Sequence, residues 1–269
     1  MHNKISRMSA TQNFDIAAVH RTLTGTRFAQ RLHHFISVDS TSTLLLAAAA
    51  EGAPEGTVYI ADEQTAGRGR GGHEWHSAAG DGLYVSVLIR AALPLRQALW
   101  ISLATGLAAQ RAIHEAAGLD IDIRWPNDLL LNGKKCGGIL VETAVENATL
   151  RYAVIGIGIN LNHPDFPGDL AALATSLRIE TSRTHSRERL LSALLRALDL
   201  ELTYLEGNAP TLLERFTAAS TWVRGKHVHV AEAGGYTGVT DGLDAEGFLR
   251  VIGDDGIRRT VLSGGVREA

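Results

Sequence analysis

From Phe28 to about Gly207 the chain alternates strand-like with helix-like segments, and from Trp222 onward the helices stop. That switch is the strongest constraint on the fold. Residues 57–61 and 83–89 are rich in β-branched and aromatic side chains and read as strands. Residues 121–125 alternate with period two and stop at Pro126. Residues 138–141 and 152–157 give two more strands, the second almost wholly apolar and therefore central in its sheet. Helix formers with apolar residues three and four apart mark 43–51, 97–117 and 189–206. In the last of these, Leu191, Leu194, Leu195, Leu198 and Leu202 form a core stripe, with Arg196, Asp199 and Glu206 turned toward water. Past Trp222, short strands at 228–230, 236–239 and 248–252 are separated by Gly and Asp turns at the spacing of a small barrel. The expected architecture is an α+β main domain over 28–220 and a small all-β domain over 222–269, with residues 1–27 as an N-terminal extension.

Composition narrows the partners. At 269 residues with 45% hydrophobic and 20% charged residues, the chain can bury a full core without staples. Its formal charge of −3 supplies no basic field, so DNA is not an expected partner. The single cysteine, Cys136, excludes an intrachain disulfide and a zinc site built on several thiolates, and reads as a small apolar packer. No apolar run approaches the roughly 18 residues of a membrane span, and residues 1–11 lack the apolar stretch of a secretory signal. No membrane association is expected, and the cytoplasm is the expected location.

Gly67-Arg68-Gly69-Arg70-Gly71-Gly72 satisfies G-x-G-x-x-G, but a dinucleotide site needs its last glycine to open a helix. Here His73-Glu74-Trp75-His76 and then Gly80-Asp81-Gly82 follow, so no helix begins. What remains is a glycine loop carrying two guanidinium groups, suited to wrapping a phosphorylated or adenylated ligand, or simply a solvated loop. His73 and His76 fall one residue short of H-E-x-x-H and lack a third metal ligand. In Arg124-Trp125-Pro126-Asn127-Asp128, the Trp-Pro step ends a strand and presents Asn127 and Asp128 at the tip of an extended turn. Asn127 can donate to and accept from a base, and Asp128 can accept hydrogen bonds or help hold a metal. Lys135, beside Gly137 and Gly138 at a strand start, is either a fixed positive charge over a reaction centre or a solvated lysine. Asp39-Ser40-Thr41-Ser42-Thr43 holds more hydroxyls than one helix cap needs, so some can face a polar ligand.

Taken in order, Asp39-Ser40-Thr41-Ser42, Gln64 to Gly72 with Trp75, Arg124 to Asp128, Lys135 to Glu142, and Gly156-Ile157-Gly158-Ile159-Asn160 resemble the biotin protein ligases. The resemblance runs from about Phe28 to the C-terminus. It implies a mixed-sheet catalytic domain of the biotin/lipoate ligase type with a small C-terminal SH3-like β-barrel. It also implies that Mg-ATP activates biotin as biotinyl-5′-adenylate, and that a lysine of a biotin carboxyl carrier domain of acetyl-CoA carboxylase, or a related carboxylase, receives the acyl group. By position, Ser40, Thr41, Ser42 and Gln64 would bind the ureido ring, with Gly69 and Gly138 lining the biotin site. Arg68, Arg70 and Lys135 would bind both biotin and adenylate, Arg70 and Lys135 as the catalytic pair. Trp75, Asn127, Asp128 and Asn160 would border the nucleotide, with Asp128 as the Mg2+ candidate.

Three departures stand out: Ser42 where the family often has Asn, His73 where a third loop Arg is common, and an N-terminus without the winged DNA-binding module of bifunctional members. Lipoate or octanoate ligases and transferases share the superfamily fold, but their R-R-x-S-G-G-G-A type loop is absent. A non-catalytic binding module is the other alternative. Monomer and homodimer both stay open, a strand over 83–90 being a candidate exposed edge for pairing chains.

Overall fold

The computed structural model describes residues 14–90, 93–207, 210–232, 234–262 and 265–269. Residues 1–13 of the expected extension lie outside that set. Seven strands make the main sheet: β1 (Leu32–Val38), β2 (Val58–Gln64), β3 (Gly82–Ile89), β4 (Asp122–Arg124), β5 (Asp128–Leu131), β6 (Lys134–Glu146) and β7 (Thr149–Asn160). Their spatial order is β1-β2-β3-β7-β6-β5-β4. Only β1 and β2 run parallel, because α2 (Thr41–Ala50) crosses between them; the remaining neighbours are antiparallel. Two hairpins have two-residue turns with positive φ at both positions, Asn132-Gly133 between β5 and β6 and Asn147-Ala148 between β6 and β7. As expected, β7 is the middle strand.

Strand alternation sorts the sheet into two faces. Val85, Val87, Ile139, Ile155, Ile157 and Ile159 point to one face and join the large core beneath α3 (Ala98–Ala117). The opposite face carries Leu88, Tyr152 and Val154, which are covered by Leu45 and Ala49 of α2. Beyond the N-terminal end of α2, the same rows continue as Ser86, Gly156, Gly158 and Gly138, flanked by Tyr84 and Leu140, so the sheet between those two is almost bare of side chains. That bare patch is where the site lies.

Along the chain, α1 (Ile16–Thr22) precedes β1, while α4 (Leu170–Leu173), α5 (Leu177–Thr181), α6 (Arg187–Gly207) and α7 (Pro210–Ala219) follow β7. The leucine stripe of α6 is buried as expected. Phe14, Val19 and Leu23 are buried in the main core, so from residue 14 onward the expected extension is part of the main body. Asp199 and Glu206 do not simply face water, because each takes Arg27 at 2.8 Å; Arg196 pairs with Glu115. The expectation of an exposed strand over 83–90 is overturned. Every residue of β3 is buried, and β2 and β7 occupy both its edges, so it has no free edge to offer another chain.

The C-terminal strands β8 (Arg224–Val230), β9 (Tyr236–Leu243), β10 (Leu249–Gly253), β11 (Arg258–Val261) and β12 (Val266–Glu268) form a five-stranded antiparallel sheet in the order β11-β10-β9-β8-β12. This agrees with the expected small β domain. Val228, Val230, Leu249, Val251 and Val266 join the same core as the main sheet. Trp125, 1% exposed, donates its indole N–H to the Gly247 carbonyl at 2.9 Å and pins the two sheets together. Trp125→Phe keeps most of the ring volume but strands that buried carbonyl. It should lower unfolding stability by about 1–3 kcal/mol in urea titration. An unchanged midpoint would show that the bond contributes nothing.

Candidate functional site

The cleft over the bare patch encloses about 430 Å3 of atom-free space, its open mouth included, and its lining draws on Val85 of β3 and four further chain segments. Ser40, Thr41 and Ser42 come from the start of α2, where Ser40 is the N-cap and accepts from the Thr43 N–H. Gln64, Arg68, Gly69, Arg70 and Trp75 come from the end of β2 and the glycine loop. Asn127, Lys135, Gly138 and Leu140 come from β6 and the turn before β5, and Gly156, Ile157 and Gly158 from β7.

At one end sits a buried polar chain. Thr41 donates both its backbone N–H and its hydroxyl to Gln64 Oε1, at 2.9 and 3.1 Å. Ser86, fully buried on β3, lies 2.8 Å from Thr41 Oγ1 and 3.0 Å from Ser42 Oγ. Gln64 Nε2 donates to Ser77 at 3.0 Å, and Ser77 donates to the Trp75 carbonyl.

The glycine loop closes on itself as an irregular hairpin. Gly69 N–H donates to the His73 carbonyl at 2.7 Å and Trp75 N–H to the Gly67 carbonyl at 2.9 Å. Gly71 and Gly72 have φ of 68° and 80°, so both occupy the left-handed region. As expected, no helix begins here beyond one tight turn over Arg70–Gly72. Arg68 pairs with Glu142 at 2.6 Å, and Arg70 is drawn below its usual pKa by burial, with Asp128 pulling the other way. His73 is exposed, and among the described residues no group of His, Cys, Asp and Glu could hold a metal. The segment that follows the loop is held by Tyr84, whose hydroxyl donates to the Ala78 carbonyl at 3.0 Å.

Trp75 returns from this loop onto the sheet. Its ring lies against Gly158 and Gly138, where an ideal Cβ would come within 2.5 and 3.2 Å of indole atoms. The Lys135 ammonium sits 5.6 Å from the ring centroid and 2.5 Å from Asp128 Oδ1. Asp128 also takes Arg124 at 2.6 Å on its other oxygen. Burial opposes ionisation of Asp128, but the charges of Lys135 and Arg124 outweigh it and hold the carboxyl below the usual range.

Three expectations for this end of the cleft change. Asp128 does not stand at the tip of an extended turn, because it opens β5, opposite Arg124. Nor does it fit a Mg2+ ligand, since both oxygens are committed to cations and, among the described residues, no metal-binding group of carboxylates includes it. Asn160 is absent from the cleft lining; it is buried beneath, its amide donating to the Lys135 and Thr175 carbonyls at 3.4 and 3.1 Å. It ties down the backbone of Lys135 rather than facing a nucleotide. Asn127 does line the cleft, with its amide donating to the Ile139 carbonyl at 2.9 Å. Cys136 is fully buried, and burial pushes its thiol up to about 12, so it is an inert packer.

Ser86, Ser77 and Glu142 belong to the site although no reading of the sequence assigned them roles. Ser86 had a signal, as the one serine in a strand of otherwise apolar and aromatic residues. Gly156 and Gly158 had one too, as glycines two apart and hence on one face.

Residues 34–160 match the Biotin/lipoate A/B protein ligase family. The chain is 36% identical over 210 residues to the bifunctional ligase/repressor BirA of Bacillus subtilis (strain 168), covering 77% of this chain and 65% of that protein. It therefore spans somewhat less than two thirds of that relative's length. It is 35% identical over 233 residues to the biotin–[acetyl-CoA-carboxylase] ligase of Mycobacterium tuberculosis, covering 84% of each. Among solved structures, the biotin protein ligase from Aquifex aeolicus in complex with biotin and ATP superposes with a TM-score of 0.76 at 28% identity, covering 89% of this chain and all of that one.

The close packing of Trp75 on Gly158 can be measured. Gly158→Ala should destabilise the fold by about 1–3 kcal/mol, the usual cost of overpacking. Most of that loss should vanish in a Trp75→Ala background, read by urea unfolding of all four proteins. An equal loss in both backgrounds would put the indole elsewhere.

Proposed function

Because the chain belongs to the biotin/lipoate A/B protein ligase family, we propose that it activates biotin with ATP and transfers it to a carrier lysine. In the first step a carboxylate oxygen of biotin attacks the α-phosphorus of ATP; the P–O bond to the β-phosphate breaks and pyrophosphate leaves. In the second, a lysine amine of a biotin carboxyl carrier domain attacks the acyl carbon; AMP leaves and the amine loses a proton.

One observation carries this reading: a single cleft joins a hydroxyl-lined end to a cluster of Arg68, Arg70 and Lys135. Two anions must meet there, and their repulsion needs fixed positive charge in a water-poor site. Lys135 is positioned for that by Asp128 and by the backbone tie through Asn160. Arg70 reaches the same region from the loop, and Arg68 is held on Glu142 at its edge. Ser40, Thr41, Ser42 and Gln64 would take the ureido ring, Gly69 and Gly138 would let ligand approach the backbone, and Trp75 and Asn127 would border the adenylate. A loop that folds over its own stem would shield the mixed anhydride from water. Any Mg2+ would arrive with the phosphates of ATP, since Asp128 is already neutralised. The carrier is proposed by class only. No described helix is long and apolar enough to cross a membrane.

The test is ATP–pyrophosphate exchange with each acid in turn. Biotin should stimulate exchange, while octanoate and lipoate should not. Stimulation by lipoate alone would reassign the substrate. Lys135→Ala should slow adenylate formation by about thirty- to a thousandfold in single-turnover experiments, the scale for losing one preorganised charge. A near-normal rate would make Lys135 a bystander. Arg70→Ala should speed release of preformed adenylate with little change in thermal midpoint, because a loop arginine packs little core.

A further inference from the structure

The direction of every hydrogen bond at the hydroxyl end of the cleft is forced. A backbone N–H can only donate, so the Thr41 N–H fixes Oε1, and not the amide nitrogen, as the Gln64 atom beside it. Oε1 can only accept, so the Thr41 hydroxyl spends its single hydrogen on it. In the 2.8 Å contact between Ser86 and Thr41, Ser86 must then donate. Its hydrogen is now used, so in the 3.0 Å contact with Ser42 the donor is Ser42. The same orientation aims Gln64 Nε2 at Ser77, which passes its own hydrogen to the Trp75 carbonyl.

We infer that Ser86 is a specificity-determining positioning residue: it takes up the Ser42 hydrogen, as Gln64 takes up that of Thr41, so that both offer the cleft lone pairs and no hydroxyl hydrogens, selecting a carboxylic acid whose far end carries ring N–H donors. This rests on the biotin ligase reading and names what in the chain enforces it. Ser86 itself lies behind the wall, fully buried and outside the cleft lining, so it acts through its two neighbours. Ser40 differs, because its oxygen accepts from the Thr43 N–H while its own hydrogen has no acceptor among the described residues. The end of the cleft thus offers acceptors at Thr41 and Ser42 and a donor at Ser40. A cyclic urea matches that pattern, with N–H groups flanking a carbonyl. A ring oxygen in place of one N–H would set lone pair against lone pair in a buried place, where an unmet polar group is costly.

Calorimetric titration of biotin and of its cyclic carbamate analogue, with one ureido N–H replaced by oxygen, tests this without requiring turnover. Wild type should prefer the urea by about tenfold or more, the scale of one mismatched buried hydrogen bond. Ser86→Ala frees the Ser42 hydrogen to face the ligand, so the preference should fall toward unity. Thr41→Val, close to isosteric, releases the Ser86 hydrogen and should do the same if Ser86→Ala fails to fold. Ser42→Ala should weaken both ligands yet keep the preference, because Gln64 still holds the Thr41 hydrogen and Thr41 still presents only lone pairs. A merely structural Ser86 would not produce that contrast. An unchanged preference in Ser86→Ala and Thr41→Val, or an equal loss in Ser42→Ala, overturns the inference. Biotin binding with no wild-type preference overturns it while leaving the ligase reading intact, whereas no binding of either acid removes both.

Discussion

Absent side chains hold this site open. An ideal Cβ at Gly158 would lie 2.5 Å from the Trp75 ring, and one at Gly156 would lie 2.5 Å from Ser42 Oγ. Both glycines occupy β7, the middle strand, on the face that α2 leaves uncovered. With any other residue there, the indole and the start of α2 could not sit on the sheet. Lys135 depends on the same concession at Gly138, where a Cβ would meet its side chain at 3.2 Å. The apolar residues on the reverse of those strands make the floor rigid, because they interlock with the core under α3.

On that floor the charges form a graded array. Asp128 sits between Arg124 and Lys135. Arg124 in turn lies 5.4 Å from the Trp222 ring, which also takes Lys226 of β8 at 5.0 Å. The lysine facing the cleft is therefore linked through one carboxylate to the junction with the C-terminal sheet, and Trp125 on Gly247 makes that junction a fixed one. The small β domain thus supports the back of the site without lining the cleft.

What was legible in the sequence follows from how local each signal is. β2, β3 and β7 show as β-branched runs, and α3 and α6 as leucine and alanine periodicity, because burial on one or both faces imposes its pattern within a few residues. β1 was missed because it is an edge strand whose His33, His34 and Ser37 dilute the pattern and whose Ile36 is 80% exposed. β5 is only four residues long, although the Asn132-Gly133 turn after it carried a hairpin signal. For the site, loop arginines, hydroxyl cap and lysine could be named from motif order. The commitments of Asp128 and Asn160 could not, because they depend on partners set by strand register. Ser86 is 45 residues from Thr41, and only the packing of α2 on β3 brings their hydroxyls together.

The pKa shifts set the acidity at which this arrangement fails. Asp128 is held below the ordinary carboxylate range by Lys135 and Arg124 against its burial. A carboxyl depressed in the fold contributes stability above its unfolded pKa and loses it as pH falls through the lowered folded value. Its clamp on Lys135 therefore persists through neutral and mildly acidic solution. His163, stacked on Phe166 and 3.3 Å from the Tyr84 hydroxyl, behaves in the opposite sense: burial, and to a lesser degree His76, push it down to about 4. It is neutral in the fold, while an unfolded histidine takes up a proton near pH 6.5. Acid thus draws on His163 first, between roughly pH 6.5 and 4, and only afterward on Asp128.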